Sequence, residues 1–304
     1  MKTRRLDASR RRLIRHGIDV GGALLATAAF ARPLKAAATE PSSAAPANET
    51  LKTIHGLRTI HGDFSERVVP DETIQLVVGA SVRAANASAM QSYSIVVVKD
   101  GATIHKLTGY RGSCLLLYCL DYTRVFDAAA HLGYRFPGAN LESFVTGSTN
   151  TILAAQTAVI AAKSLGVDSL LTNGVHRGDM QRVWDTLGLP EQYCFPLIAL
   201  VLGYAAKEPA YMKGRLSGPG VVHFGKYHRL SKTDLDEIVR QHDDKSRHLG
   251  LVEDWDQKGH KHYLDWLYKD WLRAPSAQGP QPAPAESQIS KFMRKSGFVE
   301  EQKS

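Results

Sequence analysis

Four short blocks of polar residues, each set in apolar surroundings, are where chemistry could sit. They are Arg58-Thr59-Ile60-His61, the stretch holding Asn86, Ser88 and Gln91, the triplet Thr172-Asn173-Gly174, and Lys213 with Arg215. Taken singly, each also has a plain structural use: a surface cation, turn formers, a tight Asn-Gly turn, solvated charges. What the types offer is hydrogen bonding and positive charge rather than covalent or metal chemistry. No G-x-G-x-x-G follows a strand-like run, and no G-x-x-x-x-G-K-[ST], G-x-S-x-G, H-E-x-x-H or Cys-x-x-Cys pair occurs. Cys114, Cys119 and Cys194 have no metal spacing and are too few for a disulfide framework. They read as buried, inert thiols, and a Cys114–Cys119 bridge is excluded if their run is one strand. His260 and His262 stand beside Lys258 and Lys261 as a solvated face. No metal site and no catalytic side chain is expected.

The elements that must hold these blocks follow from periodicity. Pro70-Asp71-Glu72 opens a helix carried by Ile74, Val77, Val78 and Val82 to Ala84. Ser94–Val98, Leu115–Leu120 and Pro196–Gly203 are short continuous apolar runs, hence buried strands. The stretch from Thr149 to Leu165 is apolar on nearly all sides, which predicts a long, buried central helix closed by Gly166. Lys232–His248 reads as a charged helix, Tyr263–Leu272 as an aromatic helical stripe for packing, and Ile289–Arg294 as a short helix. Helix and strand signals mix without regular alternation, so the expected class is α+β.

Length and charge bound the rest. The chain has 304 residues, 43% of them hydrophobic, a formal charge of +8 and a pI near 9.3. A charge of that size would suggest nucleic acid, but residues 1–38 hold nine Lys or Arg against two Asp, a net of +7. The other 266 residues therefore carry +1, and nucleic acid is not an expected partner. The same 38 residues have the layout of an export signal: a basic stretch, an apolar run from Gly17 to Ala31 too short to span a bilayer, and an Ala36-Ala37-Ala38 cleavage site. Within it, Ser9-Arg10-Arg11-Arg12-Leu13-Ile14-Arg15 resembles the twin-arginine export motif. The expected plan is a signal over 1–38, a linker over 39–50, a binding domain over 51–228 and a helical C-terminal extension over 229–304 with a Pro/Gln-rich linker at 274–285. Twin-arginine export machinery is thus an expected partner, the destination is the periplasm, and no stable membrane span follows cleavage.

In order along the chain, the four blocks resemble the FMN-dependent nitroreductase and flavin reductase family, nearest its NADPH-preferring, oxygen-insensitive nitroreductase branch. Arg58-Thr59-Ile60-His61 is similar to the family's Arg-Ser-x-Arg loop, and Asn86 to Gln91 to its small polar stretch before a strand. Ala154-Ala155-Gln156 through Leu165-Gly166 is similar to its central helix. Leu202-Gly203-Tyr204, Lys213-Gly214-Arg215-Leu216 and Val221-Val222-His223 resemble L-G-x-P, K-P-R-L and V-H.

That resemblance implies a mixed central sheet flanked by helices and a homodimer with FMN at the subunit interface. It also implies ping-pong transfer of a hydride from NAD(P)H through flavin N5 to a nitroaromatic, quinone or similar small-molecule acceptor. Arg58, Lys213 and Arg215 would hold the phosphate dianion; Thr59, Ile60 and His61 belong to the same loop, with His61 as the cation that tunes the flavin. Asn86, Ser88 and Gln91 would bind the ribityl chain and ring edge, and Thr172, Asn173 and Gly174 would bring backbone to the ring. Departures from the pattern are His61 for Arg, Gly214 for Pro, Asn150 for Asp, and Asp63 as an inserted residue. Since NAD(P)H is not expected outside the cytoplasm, the alternative is an exported flavin carrier, or a redox partner of a membrane complex without NAD(P)H turnover.

Overall fold

The three apolar runs form strands because each can be covered on both faces. In the computed structural model, which describes residues 48–136, 138–274 and 286–300, all eight residues of β2 (Cys114–Asp121) are buried. β2 lies between β1 (Tyr93–Val98) and β4 (Cys194–Gly203), and β3 (Asp168–Thr172) pairs on the far side of β4. The order is β1-β2-β4-β3 and every pairing is antiparallel, so among the described strands the sheet is not the mixed one expected. Side chains alternate across it. Cys114, Leu116 and Tyr118 join one core, Leu115, Leu117 and Cys119 the other, and each fully buried leucine contributes about 2 kcal/mol.

One face is covered by α2 (Asp71–Ser81) and α5 (Leu141–Ser164). The other is covered by α3 (Gly101–Thr108), which packs near the later α6 (Gln181–Leu187), while α4 (Thr123–His131) adds its aromatic side chain to that core. α1 (Glu49–His55) precedes them, so the expected linker gives way to helix at residue 49.

α5 begins earlier than its apolar run because Asn140 caps it, accepting from the Ser143 N–H at 2.8 Å. At 24 residues it is roughly 36 Å long. Gly166, at φ +72, ends it as expected, with Val167 N–H donating back to the Ala162 carbonyl at 2.9 Å. Its burial is one-sided. Ala154, Ala155, Ala158 and Ala162 pack inward, small enough to let the helix lie close, with Ser81 Oγ donating to the Ala154 carbonyl at 2.9 Å. Leu141, Val145, Ile152 and Leu153 are exposed along the opposite stripe, which corrects the expectation of a helix buried all round.

The C-terminal extension takes part in the core. α7 (Lys232–Asp243) stops five residues short of the expected His248, giving way to a single 3-10 turn at Lys245–Arg247. α8 (Tyr263–Trp266) continues as a π-helical turn to Trp271 and builds a small cluster of Trp255, Tyr263 and Trp266. α9 (Gln288–Lys295) returns to the main core: Phe292 stacks on Trp184 at 4.9 Å, and Phe298 is fully buried against Phe144 and Tyr122. The three cysteines are free and buried, and burial pushes the Cys114 thiol up to about 12, so these thiols are unreactive. Among the described residues no helix is long and apolar enough to cross a membrane. The export signal, most of the linker expected over 39–50 and nearly all of the 274–285 linker lie outside the described residues.

Candidate functional site

The first block is fixed by its backbone. The chain after α1 runs beside the end of β3 and β4: Ile60 N–H donates to the Ser169 carbonyl at 3.1 Å, Ala206 N–H to the Asp63 carbonyl at 2.9 Å, and Ser65 N–H to the Tyr204 carbonyl at 2.7 Å. Ile60 is 4% exposed, so its side chain serves the core, while Thr59 and His61 on either side turn outward. Lys213 and Arg215 arrive on the segment leaving β4. Gly214 between them lies so close to the C-terminal extension that a Cβ there would stand 2.0 Å from the Arg247 carbonyl oxygen. A residue with a Cβ fits here only if one of the two backbones shifts.

These segments and residues 249–251 enclose a cavity of about 690 Å3, lined by Thr59, His61, Tyr211, Lys213, Arg215 and Gly250 among others. Arg58 also lines it, but its guanidinium is already engaged. Nε donates to Asp168 at 3.0 Å, and the two terminal nitrogens grip Glu208. Asp168, whose second oxygen accepts from the Ala205 N–H at 3.0 Å, is only 11% exposed at its side chain. Arg58 therefore pins the loop to β3 rather than standing free for an anion, and it holds the exposed Glu208 carboxyl below the usual range. Arg215 has no carboxylate partner among the described residues; its Nη1 donates to the carbonyls of Lys213 at 3.1 Å and Gly214 at 2.8 Å. Lys213 donates to the Gly250 carbonyl and stands 3.7 Å from Glu253. Arg215, Lys213, His61 and the Thr59 hydroxyl are thus the donors on offer to an anion.

The second block is a strained turn held from three sides. Ser88 and Ala89 (φ 54 each) and Gln91 (φ 45) occupy the left-handed region without being glycine, at a cost of about 1 kcal/mol each. Asn86 Oδ1 accepts from the Gln91 N–H at 3.2 Å, and Arg124 Nη2 donates to the Met90 carbonyl at 3.3 Å. Asn150, buried on α5, accepts from the Ala87 N–H and donates to Ser92 Oγ, both at 2.9 Å. Ser88 and Gln91 are left pointing to solvent. Asn150 is a tether that sequence reading saw only as a departure. Asn150→Ala should lower stability by about 2–3 kcal/mol, because it orphans a buried N–H and a hydroxyl. Asn150→Asp should cost far less, since the Ser92 hydroxyl can reverse and donate; thermal unfolding of the two variants checks this.

The third block is not brought to the cavity. Thr172 Oγ1 accepts from the Gly174 N–H at 3.0 Å, and Gly174 is buried against α3, where a Cβ would stand 2.4 Å from the Thr108 carbonyl oxygen. Packing accounts for that glycine, and Asn173 alone of the three is exposed. The second block is further still. It precedes β1 at the end of the sheet where Tyr93 pairs Leu120, whereas Arg58 meets β3 at Asp168, which pairs Gly203. With β2 about 23 Å long and three strand spacings across, the two lie at diagonal corners roughly 27 Å apart. The cavity's Lys207, Glu208, Tyr211 and Leu249–Leu251 carried no sequence signal, because nothing in their spacing links them to the loop they meet.

No protein-family model matches the chain. By sequence it is similar to an NADPH-dependent oxidoreductase of Staphylococcus epidermidis, 27% identical over 240 residues that make up 72% of this chain and 93% of the relative. By structure it matches the NfrA1 nitroreductase of B. subtilis with a TM-score of 0.65 at 22% identity, over 83% of this chain and all of that one. The fold is that of the nitroreductases. A second nitroreductase-like neighbour, the NADPH:FMN oxidoreductase of Vibrio harveyi in complex with NAD+, gives a TM-score of 0.64 at 22% identity over 84% of this chain and all of that one. On this nitroreductase fold, the cavity residues come from the loop after α1, the exit of β4 and the C-terminal extension.

Proposed function

We propose that the chain is an FMN-dependent oxidoreductase working as a homodimer, taking two electrons from a donor and passing them to a nitroaromatic, quinone or similar acceptor. The observation that carries it is the cavity on a nitroreductase fold lined by Arg215 and Lys213 together with Thr59 and His61: two cations and a hydroxyl suit a phosphate dianion. The name of the staphylococcal relative supports NADPH as donor, and that of the Vibrio neighbour supports FMN. Bound FMN would supply the hydride chemistry at N5. The protein's part is to hold and orient it. Arg215 and Lys213 bind the phosphate, Thr59 adds a hydrogen bond, and Arg58 keeps their loop in register through Asp168.

One chain cannot offer its second block to the same ligand, since the diagonal of the sheet is longer than an extended FMN. A two-fold dimer formed through the exposed stripe of α5 would bring Asn86, Ser88 and Gln91 of one chain toward the cavity of the other. The strain in that turn suits a preorganised contact.

Export belongs to the same proposal. The Ser9–Arg15 motif supports twin-arginine passage of a folded, loaded protein to the periplasm, and with it the reading of a flavin carrier or redox partner that does not turn over NAD(P)H. The purified protein should be yellow, and NADPH, NADH and a quinol tested in parallel should show which one bleaches it. Bleaching by NADPH supports the reductase, retained colour with all three supports the carrier, and a colourless protein that takes up no FMN defeats both. Arg215→Ala should weaken FMN retention about tenfold, the weight of one charge-assisted contact; an unchanged affinity contradicts the phosphate role.

A further inference from the structure

Glu253 stands between two other ionisable groups, Lys213, which lines the cavity, and His248, which precedes the lining segment 249–251. Its Oε1 lies 3.3 Å from His248 Nδ1 and 3.7 Å from Lys213 Nζ. Lys213 Nζ also lies 5.2 Å from the centre of the Tyr211 ring, the ring on which His248 is stacked at 3.7 Å and 7°. The side chains of His248, Glu253 and Lys213 are 31%, 32% and 43% exposed, so solvent reaches each of them. His248 itself is held at φ 50 by the end of the Lys245–Arg247 turn.

We infer that Glu253 and His248 are positioning residues for Lys213, and that the protonation of His248 sets how much of the Lys213 charge the cavity offers to an anion. The inference rests on the reading of this cavity as the phosphate site. With His248 neutral, its Nδ1–H gives Glu253 a hydrogen bond but no charge, so Lys213 is the one cation of the trio, and Glu253 together with the Gly250 carbonyl keeps the ammonium turned onto the loop. When His248 takes a proton the carboxylate is shared between two cations, the trio moves from neutral to a single positive charge, and Lys213 is released toward the cavity.

The other charges near the trio are largely committed. Lys245 pairs with Asp256, Asp244 caps its own turn at Ser246, and Arg247 donates to Ser217 Oγ. Across the cavity stand Arg58 with Glu208, and Asp63, Lys207, Arg215 and His61. Of these, His61 is the second imidazole, in addition to His248. Anion binding should therefore strengthen as pH falls through the histidine range.

The test is a calorimetric titration of the flavin-free full chain with sodium sulfate, a dianion throughout, at about pH 6 and about pH 8. The natural protein should bind sulfate about fivefold more tightly at the lower pH, the upper range for a half-exposed charge contact. His248→Asn, an exchange the left-handed backbone tolerates, should stay near the weaker value at both, apart from the share that His61→Gln measures separately. Glu253→Gln should bind more tightly than the natural protein at the higher pH and flatten the profile. A natural pH ratio retained in His248→Asn overturns the inference, as does a Glu253→Gln affinity no tighter at the higher pH, or no sulfate binding at all. An FMN titration of the sulfate-loaded protein separates the two levels. Flavin that binds without displacing sulfate defeats the phosphate-site reading, whereas flavin that displaces it with an unaltered profile in His248→Asn defeats the positioning role alone.

Discussion

Charging the exposed stripe of α5 with Val145→Glu and Ile152→Glu together is expected to yield a folded monomer that no longer retains FMN. Both side chains face solvent in the single chain, at 59% and 45% exposure, so neither substitution removes a core contact. The effect falls on assembly, because an unpaired carboxylate in an apolar interface costs several kcal/mol and two-fold symmetry doubles each one. In the proposed dimer, loss of the partner would take away its Asn86–Gln91 block, which within one chain lies at the diagonal corner of the sheet from the cavity. Light scattering after gel filtration, read with flavin absorbance in the same peak, measures both consequences. A monomer that keeps its flavin would show that the site is complete in one chain; a dimer that persists would put the interface elsewhere.

Gly214→Ala is expected to be the most damaging single methyl in the cavity wall. The added carbon would stand 2.0 Å from the Arg247 carbonyl oxygen and 3.3 Å from Leu249 Cδ2, and a backbone carbonyl cannot rotate away as a side chain can. Either the segment after β4 or the Lys245–Gly250 segment must move, and both supply the cavity. Overpacking of this kind costs about 1–3 kcal/mol, and FMN affinity should drop at least as far as in Arg215→Ala. Gly79→Ala is the matched control: it lies on α2 with nothing within 4 Å of the new carbon, so it should leave flavin binding alone and raise stability by up to about 1 kcal/mol. Equal behaviour of the two variants in thermal melts and flavin titrations would contradict the packing account.

What could be read from the sequence follows how each element is buried. β1, β2 and β4 were visible because strands covered on both faces are written in unbroken apolar residues. β3 was not, since it is five residues long and opens on Asp168, whose carboxylate is used to hold Arg58 and the Ala205 N–H. α3 and α4 escaped notice because their faces are mixed; three buried residues anchor α3, and α4 has none fully buried. The apolar run of α5 was legible, but the helix's first three turns, broken by Glu142, Ser143, Thr146 and Ser148 to Asn150, hid its true start. Its alanines suggested burial all round where the outer stripe is apolar and open.

The site divides the same way. Lys213, Arg215, Thr59 and His61, singled out in separate blocks of sequence, line one cavity. Arg58, on the same loop as Thr59 and His61, is engaged by Asp168 and Glu208, and Gly174 lies against the end of α3. Distances between segments far apart in sequence, such as 213–215 against 247–253, leave no periodic trace and could not have been read in advance.

The placement of Phe292 and Phe298 in the main core bears on how the protein is made. Those residues leave the ribosome after everything they pack against, so Trp184, Phe144 and Tyr122 stay without these neighbours until α9 and the residues just after it have been made. A nascent chain stalled anywhere before α9 would expose aromatic surface for chaperones to hold. Closure of that core therefore waits on residues made more than a hundred positions after β2 and α3.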